Sequence, residues 1–377
     1  MKKILLGTST LVASAALFAG AAFAGETPKV TIGGVSDFQA GYVSEDLDTG
    51  LRAGAFRQET DLSIKFDAKT DAGLGYGGEI VLPASNTSGA DTNNNQVGKS
   101  YVYVDGAWGR FEGGSNYGAN STLKVDASKI ARATGGIDGD WTYFFSSPNA
   151  QFLATPDGVL DYGAGSYGDE SSEAINKVTY YTPRFAGFQA GVSYLFDTNS
   201  SNRGINIDRG NTTAGQAKNV VVGGVNYDNK FGDVSVAGSL TGEYGKSESA
   251  ASDGLHTYAA GAKVGYMGFS VAGSYGSWGD SLNTKAASDS ASNYWTAGVA
   301  YETGPFGASV TYLNSKMDTG ASKNKLSNIS VGVDYKLAPG LTPYAEVSFI
   351  DANSATAPAI TSDNQGTVVI VGTSLAF

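Results

Sequence analysis

The sequence predicts an all-β fold, a closed antiparallel transmembrane β-barrel of about 16 strands. Three observations predict it. Segments of about ten residues alternate apolar with small or polar side chains, which is the period of a strand with two different faces. Short turns at one end of these segments contrast with long polar connections at the other. Glycine (52 of 377 residues), tyrosine (21) and phenylalanine (17) are abundant, whereas charged residues are sparse.

Residues 1–24 have the features of a secretory signal peptide. Lys2 and Lys3 precede a short apolar stretch that ends in Ala22-Phe23-Ala24, a small-x-small cleavage site. The alternative, a helical membrane anchor, needs about 20 apolar residues, and this stretch is shorter. Cleavage after Ala24 would leave the barrel as residues 25–377.

The bulk composition excludes several classes of function. The chain has 25 basic and 36 acidic residues, and removal of Lys2 and Lys3 changes its net charge from -11 to -13. Such an acidic chain is not expected to bind nucleic acid, which requires clustered basic residues. There is no cysteine and only one histidine, His256, so disulfides, thiolate metal sites and most histidine-based catalysis are excluded.

The alternation predicts sixteen strands, and the last is the clearest, with Val369, Val371 and Leu375 on one parity and Gly372 and Ser374 on the other. The predicted strands are 28–42, 56–69, 74–83, 99–105, 110–116, 174–182, 188–197, 217–228, 231–244, 255–266, 269–278, 292–302, 306–316, 325–336, 341–351 and 365–377. Such strands must close on themselves in a membrane, because an open edge would leave backbone groups unpaired in hydrocarbon.

The strands are separated at one end by a recurring tight turn that places an aromatic residue or leucine beside glycine. Clear copies are Arg184-Phe185-Ala186-Gly187, Lys230-Phe231-Gly232 and Gly304-Pro305-Phe306-Gly307. One strand face is rich in Gly, Ser, Thr, Asn and charged residues, which favours a water-filled interior. A soluble sandwich would have shorter strands and two apolar inner faces.

Three local motifs carry a resemblance to a known family: Tyr180 to Tyr194 around Pro183-Arg184-Phe185-Ala186-Gly187, the strand Lys99 to Val104 followed by Trp108-Gly109, and the terminal Phe377. They resemble the general diffusion porins of Gram-negative bacteria. The resemblance implies a homotrimeric 16-stranded barrel in the outer membrane, in contact with lipid and lipopolysaccharide. It also implies a third long loop folded into the lumen, and a role for Phe377 in the signal read by the barrel-assembly machinery.

The longest interruption of the strand pattern, residues 116–173, is the predicted pore-constricting loop. Ala119 to Ala133 is predicted as a short helix that Gly135-Gly136 ends. The aromatic residues Trp141, Tyr143, Phe144 and Phe145 are predicted to pack against the barrel wall and anchor the loop. The alternative is a stacking platform for aromatic or sugar ligands.

The resemblance implies a constriction in which loop carboxylates face basic residues of the wall. The candidates are Asp138, Asp140 and Asp157 in the loop, opposite Arg57, Lys65 and Lys99 on the wall. In one departure, Ser115 follows Gly113-Gly114 where many family members carry arginine, so a dense arginine ladder is not expected. The sequence thus predicts a passive diffusion channel for small hydrophilic solutes with mild cation preference.

The sequence leaves further sites and functions open. Weak Ca²⁺ binding is considered at Asp91 to Asn95 and at Asn206 to Arg209, although ordinary polar turns account for both segments, and no cofactor is expected. A barrel hydrolase would need a serine activated by His256, which no catalytic motif surrounds. A channel specific for a sugar, phosphate or carboxylate competes with the diffusion channel, as does a purely structural or adhesive barrel.

Overall fold

A computed structural model describes residues 25–84, 98–146, 153–161, 175–198, 216–285, 290–320, 322–354 and 363–377. Sixteen antiparallel strands form one closed barrel in which each strand pairs with its sequence neighbours and β1 pairs with β16. The strands are β1 (Lys29–Glu45), β2 (Gly54–Lys69), β3 (Gly75–Pro83), β4 (Lys99–Gly106), β5 (Gly109–Ser115), β6 (Asn176–Tyr181), β7 (Phe188–Asp197), β8 (Ala217–Phe231), β9 (Val234–Ser247), β10 (Leu255–Tyr266), β11 (Phe269–Gly279), β12 (Ser292–Thr303), β13 (Phe306–Asp318), β14 (Lys323–Tyr335), β15 (Leu341–Asn353) and β16 (Asp363–Ala376). The predicted closed barrel and its strand number are confirmed.

The two faces of the sheet differ in polarity as the alternation predicts. On β13, Val310 is 43% exposed on the outer face, whereas its neighbours Ser309 and Thr311 are buried inside. Exposed apolar side chains around the outside, with hydroxyl groups inside, are the pattern of a barrel surrounded by lipid. Among the described residues, no helix is long and apolar enough to cross a membrane.

One stretch of the barrel has unusually short strands. Strands β3, β4, β5 and β6 contain 9, 8, 7 and 6 residues, whereas β1 contains 17 and β2 contains 16. Seven tilted residues span only about 17 Å along the barrel axis, less than the roughly 25 Å apolar band of an outer-membrane barrel. We call this side of the barrel, β3–β6, the low side.

The barrel closes next to its last residue. The Phe377 backbone N–H donates to the Gly34 carbonyl oxygen and the Gly34 N–H donates to the Phe377 carbonyl oxygen, both at 3.0 Å. The Phe377 side chain is 60% exposed. The chain end is thus held in register on the first strand while its ring remains available on the surface.

Between β5 and β6 lie α1 (Ala119–Leu123), three short 3₁₀ helices, η1 (Ala127–Ile130), η2 (Gly136–Asp138) and η3 (Asp140–Tyr143), and α2 (Gly158–Asp161). The single helix predicted over Ala119 to Ala133 is therefore wrong. The chain becomes extended at Lys124, and the next N–H, that of Val125, donates to Ser239 of the wall instead of continuing the helix. A tertiary hydrogen bond replaces the local one.

Candidate functional site

The segment between β5 and β6 packs on the face of the sheet that carries the buried polar side chains. We call its described residues, 116–146 and 153–161, the inner loop. Helix α1 packs on β7, β8 and β9, η1 on β11, β12 and β13, η2 on β13 and β14, η3 on β16, and α2 on β9 and β10. Helix α1 also packs on β6, and β1 binds the loop through Gln39 and Glu45, so the inner faces of β6–β16 and β1 form a covered wall. Within the described residues, no helix of the inner loop packs on β2–β5, and we call the inner faces of these four strands the open wall.

Wall hydroxyl groups bind the backbone of the inner loop. Ser239 accepts from Val125 N–H at 2.8 Å, and Ser309 accepts from Arg132 N–H at 2.8 Å. Three further pairs repeat this contact: Ser193 with Ala119 at 2.9 Å, Thr296 with Ala127 at 3.4 Å, and Ser292 with Ala154 at 2.7 Å. Each hydroxyl satisfies a loop N–H that has little regular secondary structure to bond within.

Carboxylates of the wall extend these contacts. Glu243, which is 4% exposed, accepts from the N–H groups of Val159 and Leu160 at 2.9 and 3.4 Å and from the Asn120 amide at 3.2 Å. Glu346, which is 1% exposed, accepts from the Thr134 hydroxyl at 2.6 Å and the Gly136 N–H at 3.1 Å.

A third carboxylate, Glu45, accepts from the backbone N–H and the hydroxyl of Ser146 at 2.8 and 2.7 Å. The three glutamates together hold α2, η2 and the residues that follow η3. Their hydrogen bonds favour a single position of the loop on the wall.

The covered wall is also shaped for the loop backbone. Gly261 of β10 lies so close to Val125 that a Cβ added there would overlap the Val125 carbonyl oxygen. Apolar inward side chains complete the fit, since Val368 and Ile370 of β16 are fully buried with Trp141 in one cluster. Strand β16 is therefore apolar on both faces where the loop covers it.

The four predicted anchor aromatics separate into two groups. Trp141 and Phe145 are each 5% exposed and pack edge to face with ring centroids 6.3 Å apart. Phe144 is half-buried against the same cluster, and its ring occupies the space above Gly41. Tyr143 departs from the prediction because it is 61% exposed, and the Arg57 guanidinium carbon lies 3.8 Å from its ring centroid.

One predicted pair of loop acid and wall base is brought together. Arg57 Nη1 lies 3.4 Å from Asp140 Oδ2, and Arg57 Nη2 lies 2.6 Å from Glu59 Oε2 on the same strand. Gln39 of β1 also donates to Asp140. Loss of hydration raises the pKa of Asp140 although the Gln39 hydrogen bond and the Arg57 charge oppose the shift.

The other two candidate acids meet a lysine of the loop instead of a wall base. Lys124 forms an ion pair with Asp157, and the Asp138 carboxyl group interacts electrostatically with the Asp157 carboxyl group. Burial opposes ionisation of Asp157, but Lys124 outweighs it and lowers the pKa of Asp157. Restricted hydration and the adjacent Asp157 charge raise the pKa of Asp138, even though its side chain is exposed.

Lys65 and Lys99 do not face the predicted loop acids. Lys65 Nζ lies 3.4 Å from Glu79 Oε1 of β3, and Lys99 Nζ lies 3.8 Å above the ring of Tyr117. Lys65 lies toward the short-turn end of β2, well below Arg57. The alternation of inward and outward side chains predicts that both lysines point inward. It does not show how far along the barrel axis each lysine lies from the loop.

The comparison with protein families decides what kind of barrel this is. A family model described as Gram-negative porin matches residues 10–355. The chain belongs to the Gram-negative porin family. It is therefore an outer-membrane channel protein, and its family and fold are those of channels and not of enzymes.

Two relatives of this porin differ in how much of the chain they match. An uncharacterized protein of Rickettsia bellii is 27% identical over 444 residues, covering 100% of both chains. Outer membrane porin protein 32 of Delftia acidovorans is 28% identical over 205 residues, 52% of this chain and 50% of that protein.

Solved porin structures share its architecture. An anion-selective porin from Comamonas acidovorans superposes with a TM-score of 0.63 at 20% identity, over 93% of this chain and 100% of that chain. The trimer form of OmpT from Vibrio cholerae superposes with a TM-score of 0.56 at 12% identity, over 93% and 100%. At such identities the likeness concerns the fold alone.

The loop-binding residues of this porin were missed in the sequence. In the sequence, four of them look like ordinary water-facing positions of a barrel strand: Ser239, Glu243, Ser309 and Glu346. An available signal was that neither Glu243 nor Glu346 has a basic residue of the same parity on its own strand. A buried carboxylate without a neighbouring cation must accept several hydrogen bonds.

The remaining sequence candidates are His256 and the two segments considered for Ca²⁺. His256 is on the outer face, edge-on to Tyr244 with ring centroids 5.0 Å apart. The segments Asp91 to Asn95 and Asn206 to Arg209, considered for Ca²⁺, lie outside the described residues. Within the described residues, no group of three His, Cys, Asp or Glu side chains could hold a metal ion.

Proposed function

We propose that this porin is a passive diffusion channel for small hydrophilic solutes and ions, with a mild preference for cations. The observation that carries the proposal is the charge of the open wall. Its inward positions carry six carboxylates, Glu59, Asp61, Asp67, Glu79, Asp105 and Glu112, and five cationic groups, Arg57, Lys65, Lys69, Lys99 and Arg110.

Most of the cationic groups are neutralised locally, since three of the five form ion pairs within the wall. The pairs are Arg57 with Glu59 at 2.6 Å, Arg110 with Glu112 at 2.6 Å, and Lys65 with Glu79 at 3.4 Å. The wall as a whole keeps a surplus of one negative charge. In a narrow aqueous path bounded by protein, such a field concentrates cations relative to anions.

The inner loop is the proposed constriction. Asp138, Asp140 and Asp157 lie on the loop and add to the negative charge of the path, and Arg57 reaches Asp140 across from β2. Deletion of Gly135 to Asp161 tests this role: the account expects larger conductance and weaker ion selectivity. Unchanged conductance and selectivity would show that the loop does not control the pore.

We propose a homotrimer with the low side at its centre, because strands as short as β5 and β6 do not cover the apolar thickness of a bilayer. The OmpT relative was solved in a trimer form. The long strands would then face outer-membrane lipid and lipopolysaccharide. The exposed Phe377 ring is the proposed signal for the barrel-assembly machinery.

The direct test is a planar-bilayer recording of the purified protein in a KCl gradient. A large, stable conductance with a reversal potential of the sign set by K⁺ supports the proposal. A reversal potential set by Cl⁻ overturns the cation preference. Saturable block of the current by sugars at low concentration would favour a substrate-specific channel.

A further inference from the structure

Tyr143 differs from the aromatic residues around it in its exposure. Three of the four neighbouring aromatic positions pack toward the wall, yet Tyr143 is 61% exposed inside the barrel. One side of its ring is in contact with the Arg57 guanidinium, 3.8 Å from the centroid. An aromatic ring with this much exposed area is a potential stacking surface for a solute.

The charges around this ring favour a cation. Glu59, whose side chain is 48% exposed, and Asp140 both contact Arg57. Glu59, Asp140 and Arg57 together comprise two carboxylates and one guanidinium. Their summed formal charge is therefore one negative charge. The electron-rich face of tyrosine attracts cations, and planar cations can stack on it and bond to a carboxylate together.

The protein itself shows which cation these groups accommodate. Arg57 stacks on Tyr143 while its Nη2 binds Glu59 at 2.6 Å. The combination occurs a second time, where Arg110 lies 3.7 Å from the Tyr103 ring centroid and its Nε binds Glu112 at 2.6 Å. In both places one flat cation is held by a ring and by a glutamate two residues further along its strand.

The two groups differ in access. The Glu112 side chain is only 8% exposed and also accepts from Asn116, whereas the Glu59 side chain is 48% exposed. Of the two, the group at Tyr143 combines an exposed ring with an exposed carboxylate. The group at Tyr103 provides a natural control.

We propose that Tyr143, Glu59 and Asp140 form a subsite for small organic cations of the guanidinium class, which bind transiently as they pass. The solute's planar group stacks on the exposed part of the Tyr143 ring and donates to Glu59. This inference rests on the proposed channel function and deepens it by naming a class of solute. A neutral polyhydroxyl solute would gain nothing from the surplus charge.

The test compares three solutes of similar size in planar bilayers with the full mature protein. Arginine amide carries the planar cation, lysine amide carries the same charge without the planar group, and citrulline amide has the planar group without its charge. The expected order of half-blocking concentrations is arginine amide lowest, then lysine amide, with the citrulline compound weakest. Equal block by the first two, or no block by arginine amide, overturns the subsite.

Variants localise the effect. Tyr143→Leu should raise the half-blocking concentration of arginine amide about two- to five-fold, the value of an exposed cation–aromatic contact. Tyr143→Phe, which keeps the ring, and Tyr103→Leu, which changes the less accessible group, should leave it within about two-fold. Glu59→Gln should weaken the block as well. If Tyr143→Leu has no effect, or Tyr103→Leu has as large an effect, the assignment to Tyr143 is wrong.

The same recordings separate this inference from the proposed function. Cation preference in a KCl gradient without selective block by arginine amide contradicts only the subsite. A reversal potential set by Cl⁻ contradicts the cation preference of the channel. Strongest block by the citrulline amide would assign the ring to neutral planar groups and overturn the guanidinium class.

Discussion

The covered wall and the open wall are made from the same strand alternation, but their polar groups bind different partners. The covered wall presents hydroxyls such as Ser239 and Ser309, and carboxylates such as Glu243 that accept loop N–H groups. The open wall presents pairs of opposite charge such as Arg57 with Glu59. The groups that hold the loop and the charged pairs thus lie on different sides of one barrel.

The difference between the two walls follows from the cost of removing polar groups from water. A neutral hydroxyl can bind a backbone N–H in a dry contact at small desolvation cost. A charged pair is retained where water remains, because burying it would cost several kcal/mol per ion. Changes on the covered wall should therefore act on stability and conductance, and changes on the open wall should act on selectivity.

The largest effect is expected for Trp141→Ala, which removes a buried anchor of the inner loop. Truncation of a large buried aromatic residue costs about 3–5 kcal/mol, and Trp141 is 5% exposed. The measurement is the free energy of unfolding of the detergent-solubilised barrel. Trp141→Phe is the matched control: the indole N–H has no described hydrogen-bond partner, so this variant should lose much less. A near-neutral Trp141→Ala would mean that the aromatic cluster does not anchor the loop.

A smaller loss is expected for Gly261→Ala. The new Cβ would overlap the Val125 carbonyl oxygen, so the inner loop must move away from β10. Overpacking of this kind costs about 1–3 kcal/mol, and faster proteolysis within the loop and a noisier single-channel current should accompany it. Gly238→Ala on the adjacent strand is the control, since its Cβ would lie 3.5 Å from the nearest atom. Equal behaviour of the two variants would contradict the close contact.

Glu243→Ala should weaken the attachment of α2. It leaves the N–H groups of Val159 and Leu160 without their carboxylate acceptor, at a cost of roughly 1–3 kcal/mol. Protection of these two amides from hydrogen exchange should fall, whereas the barrel strands should keep theirs. Loss of protection throughout the strands would show instead that Glu243 supports the barrel itself.

The smallest effect concerns pH. The pKa of Asp138 is raised, so on acidification Asp138 takes up its proton at a higher pH than an ordinary aspartate, while Asp157 with its lowered pKa stays ionised. One negative charge of the path is then lost, and cation preference should fall slightly over that pH interval. Asp138→Asn should abolish this step in a pH series of reversal potentials. An unchanged step in the variant would assign it to another group.

The fold could be predicted from the sequence further than the site could. The alternation of apolar and polar residues predicts the barrel and the inward direction of Arg57. It can do so because a period of two is a local property of the chain. The positions of Lys65 and Lys99 along the barrel axis, relative to the loop, depend on the register and tilt of several strands. A local sequence pattern contains no information on register or tilt. The predicted helix from Ala119 failed for a related reason, since Ser239, more than a hundred residues away, takes the Val125 N–H.

We propose that the open wall sets ion selectivity while the covered wall holds the loop. The most direct measurement is the reversal potential in a KCl gradient of the unmodified protein, of the double variant Asp61→Asn with Asp67→Asn, and of Glu243→Gln. We expect K⁺ preference in the unmodified protein, a shift toward Cl⁻ in the double variant, and no shift in Glu243→Gln. Cl⁻ preference in the unmodified protein, or a shift in Glu243→Gln as large as in the double variant, would contradict it.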